Sequence, residues 1–462
     1  MMISTPLQRI SLFSICLFTL AFTPTAHAGW EAGVAKVVIT PEQSMWMGGY
    51  ASRKTPSEGV LQDLYAKALT LADDNGHKVV IVTTDLVGIP RTTRENVVAA
   101  VTQKHGLQPD QILLNASHTH CGPELRPSKS TIYDLDPAIA AQSLEYLQQL
   151  EAKIVQAIAE SLQDLEPVEV SYSFGRAGFA MNRRYPMPDG SYKNSPYPEG
   201  PVQHQVPVLA VNTAEGGLKA LLFGYACHNT TTGIMKFNGD YAGFAQADLE
   251  ESHPGTVALF MAGCGGDQNP YPRYDEKYLP LQGTALALAV ETALQDIRPV
   301  KLSGDIQTRL SEVPVEFAHI PDRAELEAQL EDKNVYIRRH ARLMLDHLDT
   351  EGTIASEYPY MVQCLQLGEE LTLFALAGEV VVDYDHLIRD LLPAENLWIA
   401  GYSNDVFGYV TSLRVLKEGG YEAGGAMIYV DMPGPFAESI EERILGEVKR
   451  LYDDLEKQAP QP

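Results

Sequence analysis

Short apolar runs alternate with amphipathic stretches along almost the whole chain. The apolar runs are typical of buried strands, and we predict strands at residues 34–39, 66–72, 78–84, 111–116, 168–174, 206–211, 218–226, 256–261, 306–315, 361–367, 371–376 and 397–400. Apolar residues at helical spacing predict helices at residues 92–105, 137–162, 242–251, 281–295, 323–348, 380–392 and 437–455. This alternation indicates an α/β fold, with a mixed β-sheet core flanked by helices.

Turn residues separate these elements. Asn75-Gly76 lies between two of the predicted strands, and this dipeptide favours a tight hairpin. Residues 185–201 are rich in Pro, Gly, Asn and Ser, which predicts a long surface loop and a candidate lid. No internal repeat and no long linker divides the pattern, so we predict one large domain over residues 29–462.

The first 28 residues have the pattern of a cleavable secretory signal. Arg9 precedes an apolar stretch at residues 10–22, and small residues lead up to Ala28. The apolar stretch is shorter than the roughly 20 residues that span a bilayer. We therefore predict cleavage after Ala28 and a periplasmic or secreted protein with no transmembrane segment after cleavage.

Charge narrows the classes of partner. The 462 residues include 35 Lys and Arg against 60 Asp and Glu, which gives a formal net charge of −25. A chain this acidic repels polyphosphate, so we expect no nucleic-acid partner. No Asp-rich loop has the spacing of an EF-hand, so we interpret the carboxylates as a solvated surface. The sequence leaves the oligomeric state open.

One motif stands out for its chemistry. The run NASHTHCGP at residues 115–123 follows an apolar strand, and side chains alternate faces along a strand, so we expect His118 and His120 to project to the same side. Two neutral imidazoles at this spacing can share one metal ion. Taken alone, the pair is more often two solvated histidines at the end of a strand than a metal site.

Four further polar clusters follow apolar strands. They contain His228, Asp267 with Asn269, Glu379, and the aromatic and polar residues 401–409. Each has an ordinary alternative: a core histidine, a tight turn or a polar loop. Their recurrence favours a site, because ligands of open α/β sheets bind at the carboxyl ends of strands.

In this order the clusters resemble the neutral ceramidase family, the neutral/alkaline non-lysosomal ceramidases. The resemblance extends from residues 33–41 to Tyr421-Glu422-Ala423 and implies the fold of that family's catalytic domain. It also implies an exported zinc-dependent amidohydrolase, acting in lipid or sphingolipid metabolism. Such an enzyme hydrolyses the N-acyl bond of a lipid such as ceramide with zinc-activated water.

The resemblance also implies roles for residues. Zn²⁺ as a single catalytic ion would be held by His118, His228, Glu379 and Tyr409. His120 resembles the histidine that handles protons. Arg183 and Tyr421 resemble the active-site arginine and the tyrosine that steadies the scissile carbonyl. We also consider Asp267 as a proton shuttle and Asn269 as a hydrogen-bond donor to the oxyanion.

The chain departs from the family pattern in two places. Asn269 stands where the family has a catalytic serine, and the chain ends soon after the catalytic region, so we expect no C-terminal β-sandwich. Two alternatives therefore stay open: a zinc hydrolase of the same fold acting on a different amide or ester, and a non-catalytic zinc-containing binding protein.

The cysteines lie close to these motifs. Cys121, Cys227 and Cys264 each neighbour a candidate site residue, and Cys364 lies in a predicted strand. Packing, a disulfide or thiolate ligation of zinc are all compatible with their positions. We favour packing or a disulfide, because the neighbour of a ligand in a strand faces the opposite way.

Overall fold

The computed structural model describes Met1 and residues 29–457. The predicted signal segment lies outside the described residues, apart from Met1. Among the described residues, no helix is both long enough and apolar enough to cross a bilayer.

Strands and helices alternate through the described chain. The strands are β1 (Glu31–Val38), β2 (Gly59–Val60), β3 (Tyr65–Ala72), β4 (Lys78–Thr84), β5 (Ile112–Ala116), β6 (Glu166–Arg176), β7 (Ala180–Asn182), β8 (Arg184–Pro186), β9 (Tyr192–Asn194), β10 (Gln205–Thr213), β11 (Leu218–Tyr225), β12 (Lys236–Phe237), β13 (Val257–Ala262), β14 (Gln268–Pro270), β15 (Val300–Leu302), β16 (Ile306–Glu316), β17 (Glu357–Leu367), β18 (Leu371–Leu376), β19 (Glu379–Val380), β20 (Leu397–Ala400) and β21 (Tyr409–Val410). The α-helices are α1 (Arg91–His105), α2 (Lys129–Tyr133), α3 (Pro137–Gln163), α4 (Asp240–Ser252), α5 (Tyr278–Leu294), α6 (Arg323–Gln329), α7 (Val335–Glu351), α8 (Asp383–Leu391), α9 (Leu413–Glu418) and α10 (Ile440–Glu456).

Two mixed sheets form the centre of the molecule. In the larger sheet the strand order is β13-β11-β10-β6-β1-β3-β4-β5, with β15 paired to β6. Its neighbours are antiparallel except for the parallel pairs β11–β13 and β4–β5. The smaller sheet has the order β16-β17-β18-β20, and its β18–β20 pair is parallel.

The two sheets pack face to face. Alternation along β17 and β18 sends Leu365 and Leu373 into the shared core with the larger sheet. Cys364 and Phe374 point the other way, towards α8 and α10. Helices α1, α3, α4 and α5 cover the outer face of the larger sheet. The result is a four-layer arrangement of helices, two sheets and helices.

The predicted α/β fold with a mixed sheet core is confirmed. The predicted hairpin is also present, with Gly76 in the left-handed region at φ 80°.

Three local predictions were wrong. The helix expected at 323–348 is two helices, because Asn334 caps the second by accepting a hydrogen bond from the Tyr336 N–H. The helix expected from residue 380 begins at Asp383, since β19 first pairs with β21. The segment 185–201 is not a plain loop but contains the β8–β9 hairpin.

Candidate metal centre

The carboxyl ends of strands from both sheets meet at one end of the molecule. Isolated bridges Asn115–Ser403 and Gly263–Ala400 join the larger sheet to the smaller one at this point. The Asn115 amide is fully buried and donates to the Gly401 carbonyl at 2.8 Å, while its oxygen accepts from the Ala262 N–H at 2.9 Å. One side chain therefore fixes three strand ends relative to one another.

His118 is held in an unusual backbone conformation. Strand β5 ends at Ala116, and His118 has φ 61°, in the left-handed region that few residues other than Gly adopt. The expectation that strand alternation aligns His118 with His120 was therefore wrong. The two rings are neighbours nevertheless, with centroids 4.8 Å apart, because the turn brings them together.

His228 follows β11 and is packed against glycines. Its Nδ1 lies 2.7 Å from the Gly265 carbonyl oxygen. A Cβ on Gly265 would lie 2.6 Å from the Cys227 nitrogen, and one on Gly266 would lie 2.6 Å from the Glu379 carbonyl oxygen. The absence of side chains at these glycines is what allows the His228 and Glu379 segments to approach each other.

Polar atoms of four side chains converge at the centre. Glu379 Oε2 lies 3.2 Å from His118 Nε2 and 3.4 Å from His228 Nε2. The Tyr409 hydroxyl lies 3.4 Å from His228 Nε2, and Tyr409 pairs in register with Glu379 between β21 and β19. The structure thus brings together all four residues that the sequence resemblance assigned to the metal.

The positions of the protons on the two histidine rings favour a bound cation. His118 Nδ1 faces the Val87 carbonyl oxygen at 2.6 Å, and His228 Nδ1 faces the Gly265 carbonyl oxygen. A carbonyl oxygen can only accept a hydrogen bond, so in each ring the proton is on Nδ1. In the neutral rings the Nε2 atoms then present lone pairs. Glu379 Oε2 is buried and makes no hydrogen bond despite its two close nitrogens. Lone pairs that face one another without a proton are stabilised by a bound positive ion.

Distances and ionisation both fit a small divalent ion. Ligands about 2.0–2.1 Å from a tetrahedral zinc lie roughly 3.3 Å from one another, which matches the separations of the Glu379 oxygen from the histidine nitrogens. Burial and the nearby Arg183 lower the pKa of His228 to about 3, so its ring is neutral at physiological pH.

His120 adds a third ring to the cluster. Its Nε2 lies 3.1 Å from His118 Nε2, and one nitrogen from each of the three histidines falls within a 4.8 Å group that could hold a metal ion. Gly49, at φ 92°, leaves room for the ring, since a Cβ there would lie 2.2 Å from it. His120 is thus placed either to ligate an ion or to exchange a proton beside one.

Arg183 supports the tyrosine from behind the cavity. Its Nη2 donates to the Tyr409 hydroxyl at 2.8 Å, its Nε to Glu422 at 2.8 Å and its Nη1 to the side-chain oxygen Oδ1 of Asn269 at 3.2 Å. Glu422 also accepts from Arg184 at 2.6 Å. Sequence reasoning missed Glu422, although it lies inside the matched segment Tyr421-Glu422-Ala423.

The remaining predicted residues occupy different positions. Tyr421 lines the cavity with its ring 5.6 Å from that of Tyr409. Asp267 is fully buried and accepts from the Val382 N–H at 2.8 Å and from Asn182 at 3.1 Å. It does not line the cavity, so its placement favours a structural role over proton transfer. Asn269 lines a neighbouring cavity and reaches the centre only through Arg183.

The cavity above the cluster has a volume of about 240 Å³. Besides the cluster it is lined by aromatic and cationic residues that sequence reasoning did not select. These are Tyr50, Arg126, Lys129, Tyr133 and Tyr429, with Met427 and Val430 as apolar contacts.

The four described cysteines are buried and free. The disulfide that we favoured together with packing is therefore absent among the described residues. The metal-binding group found there contains histidines and no thiol. Burial raises the pKa of Cys121 to about 12, which further disfavours a thiolate. Of the alternatives, packing describes these side chains.

Comparison with known proteins identifies the family. Residues 30–271, just over half of the chain, match the family described as neutral/alkaline non-lysosomal ceramidase, N-terminal. The chain belongs to this family. Neutral ceramidase A of Dictyostelium discoideum is 25% identical over 266 residues, which cover 53% of this chain and 36% of that protein. The match thus spans about a third of the length of that relative.

Solved structures support the fold. The crystal structure of neutral ceramidase from Pseudomonas aeruginosa superposes with a TM-score of 0.73 and 20% sequence identity, covering 94% of this chain and 76% of that chain. A structure described as ceramidase complexed with C2 gives the same TM-score at 19% identity. These similarities confirm the predicted resemblance of the fold to the neutral ceramidase catalytic domain.

Proposed function

We propose that the protein is a zinc-dependent amidohydrolase that cleaves the N-acyl bond of a lipid such as ceramide. The observation that carries the proposal is the convergence of His118, His228, Glu379 and Tyr409, with the Glu379 oxygen 3.2–3.4 Å from two imidazole nitrogens. Family membership supports the reaction class. The proposal includes export, which rests on the sequence pattern of residues 1–28, and one catalytic domain over residues 29–462.

The donor set suits zinc. Imidazole nitrogens and carboxylate oxygen are its common ligands, and because zinc can expand to five-coordination, four protein ligands leave one position for solvent or substrate. When bound, zinc supplies a polarising charge that lowers the pKa of a water molecule and activates a carbonyl. His118, His228, Glu379 and Tyr409 hold the ion, and the Val87 and Gly265 carbonyls orient the two rings.

The other residues act on substrate and protons. The Tyr421 hydroxyl, on the cavity wall, donates to the carbonyl oxygen as negative charge develops there. His120 Nε2 receives the proton released from the attacking water and delivers it to the leaving nitrogen. Arg183 keeps the Tyr409 oxygen in place. Asn269 has no hydroxyl, so the position of the family serine supplies no nucleophile.

The test combines metal content with turnover. The purified chain is assayed with short-chain ceramide and other N-acyl amides and esters, with its metal removed by chelation and then restored with zinc. We expect activity that disappears and returns with zinc, and loss of both zinc and activity in His118→Ala and Glu379→Ala. Full metal occupancy in both variants would overturn the ligand assignment. A wild-type chain that binds zinc but cleaves nothing in the panel would instead indicate a binding protein.

A further inference from the structure

Lys129 is a buried cation that the proposed reaction does not use. Its side chain lines the cavity that holds His118, His120 and Glu379, and the residue is only 4% exposed. It is the first residue of the short helix α2. A lysine is rarely this buried unless an acidic partner accompanies it.

No such partner is present in the described structure. Lys129 Nζ donates to the Tyr429 carbonyl oxygen, and no carboxylate from residues 29–457 lies within ion-pair distance of it. The nearby Glu124 is already engaged, because Arg126 donates to its two oxygens through Nε and Nη2 at 2.8 Å each. The cluster Glu124, Arg126 and Lys129 therefore has no carboxylate left to pair directly with the Lys129 ammonium.

The protein bears a free-energy cost to keep this cation. Burial and the neighbouring Arg126 lower the pKa of Lys129 to about 7, which shows that its surroundings disfavour the charge. An anion arriving in the cavity would relieve that cost. Such a residue commonly marks a binding position rather than a packing position.

We propose that the cavity selects amides whose amine half carries an anionic group, a carboxylate or a phosphate, which Lys129 binds with help from Arg126. The proposal rests on the proposed amidohydrolase function and narrows its substrate class: N-acyl amino acids and related acidic amides are preferred over uncharged N-acyl diols such as ceramide. Tyr133, which lines the same cavity, offers an additional hydroxyl donor. Lys129 lines the same cavity of about 240 Å³ as His118 and Glu379, so an anionic group bound by Lys129 shares that cavity with the scissile carbonyl.

The reaction balances without a further reactant. Water adds across the amide, the C–N bond breaks, the hydroxyl stays on the acyl carbon and the proton goes to the amine nitrogen. The products are a fatty acid and an amine that keeps its anionic group. An uncharged ceramide would leave Lys129 without a counter-charge.

The experiment uses matched pairs that differ in one charge. N-lauroylglycine is compared with N-lauroylglycinamide, and N-lauroylethanolamine phosphate with N-lauroylethanolamine, as substrates of the zinc-loaded full chain. We expect a preference of about tenfold or more in kcat/KM for the anionic member of at least one pair, the size expected for one charge-assisted hydrogen bond. The pair that shows the preference identifies carboxylate or phosphate as the anion.

Variants of Lys129 show whether this residue, and not the metal ion, causes the preference for anionic substrates. In Lys129→Met the preference should fall about tenfold, mainly through KM, while Lys129→Arg should retain most of it. Lys301→Met, at an exposed position, is the control and should behave as wild type. A preference that survives in Lys129→Met, or equal turnover of both members of each pair in the wild type, overturns the proposal.

A failure of the amidase function gives a different result. If none of the four compounds nor ceramide is hydrolysed, binding of each pair is measured by calorimetry on the same full chain. Tighter binding of the anionic member that depends on Lys129 would support the anion site although the proposed function had failed. Equal binding of both members would overturn the anion site as well.

Discussion

Arg183 donates from Nη2 to the Tyr409 hydroxyl at 2.8 Å while its Nε pairs with the buried carboxylate of Glu422. Glu422 in turn accepts from Arg184, so one carboxylate fixes two guanidinium groups. The position of the Tyr409 oxygen beside His228 therefore depends on an ion pair between residues 239 positions apart in the chain.

Loss of the Glu422 charge should weaken metal binding without removing a ligand. In Glu422→Gln the guanidinium of Arg183 loses its counter-charge, and the Tyr409 oxygen is held less firmly. We expect zinc affinity to fall about 10–100-fold, as is usual when a partner of a ligand is changed. Competition with a chromophoric chelator measures this affinity.

Glu418 provides the matched control. It pairs with Arg184 and Arg414 but does not contact Arg183. Glu418→Gln should leave zinc affinity within about twofold of wild type, because the hydrogen bond from Arg183 to the Tyr409 hydroxyl keeps both of its partners. Equal losses in the two variants would show that general destabilisation, and not the Arg183 contact, sets the affinity.

Addition of one methyl group at Gly266 should displace Glu379 from the metal site. A Cβ there would lie 2.6 Å from the Glu379 carbonyl oxygen, so the Glu379 strand must move. We expect Gly266→Ala to cost about 1–3 kcal/mol of unfolding free energy and to lower zinc occupancy. Urea unfolding and metal analysis check both effects.

Gly446 provides a control, because it separates the steric clash expected at Gly266 from the general effect of replacing a glycine by alanine. Gly446 lies in α10, and a Cβ added there would meet no atom within 4 Å beyond the backbone of its own helix. Gly446→Ala should stabilise the protein by about 0.5–1 kcal/mol through helix propensity and leave zinc binding unchanged. A Gly266→Ala protein as stable as wild type would contradict the close approach of the two segments.

Lys129 should destabilise the fold at acid and neutral pH. Folding lowers the pKa of Lys129 from 10.5 to about 7. Below pH 7 the lysine is protonated in both the folded and the unfolded state, so the folded state bears the full free-energy cost of burying the ammonium. Above pH 7 the folded state loses the proton, and this cost disappears as the pH rises towards 10.5. Lys129→Met should therefore raise the free energy of unfolding by about 1–3 kcal/mol at pH 6, and less at pH 10. Urea midpoints across this range provide the measurement.

Lys129→Arg keeps the charge and is the control for the pH series. Its stability should not exceed that of wild type at pH 6. If Lys129→Met is less stable than wild type throughout, the ammonium contributes to folding and does not oppose it.

The cysteines should titrate as four buried thiols. In the chain from residue 29 onwards, all four are free and inaccessible in the native structure. We expect almost no reaction with a thiol reagent under native conditions and four equivalents after unfolding without reductant. Fewer than four equivalents after unfolding would reveal a disulfide.

The sequence predicted most of the fold because the strands are buried on both faces and appear as continuous apolar runs. β18, whose residues are all buried, is an example. The break between α6 and α7 was missed because the spacing of apolar residues continues across Asn334, whose capping side chain ends that continuity. Local patterning carries little information about such a cap when helical spacing continues on both sides.

The candidate site was only partly predictable. Resemblance to the family selected His118, His228, Glu379 and Tyr409, which the structure places together. Strand alternation correctly predicted that His118 and His120 lie side by side, but the reasoning was wrong, because His118 lies in a left-handed turn beyond the strand. Glu422 and Lys129 were missed because their roles depend on contacts with distant residues.

The most direct measurement of the central claim is X-ray absorption at the zinc edge of the purified protein, together with its metal content. We predict one zinc per chain, with a shell of nitrogen and oxygen ligands at about 2.0–2.1 Å that includes two or three imidazoles and no sulfur. A chain without stoichiometric metal, or a shell containing sulfur at about 2.3 Å, would contradict the assignment of His118, His228, Glu379 and Tyr409.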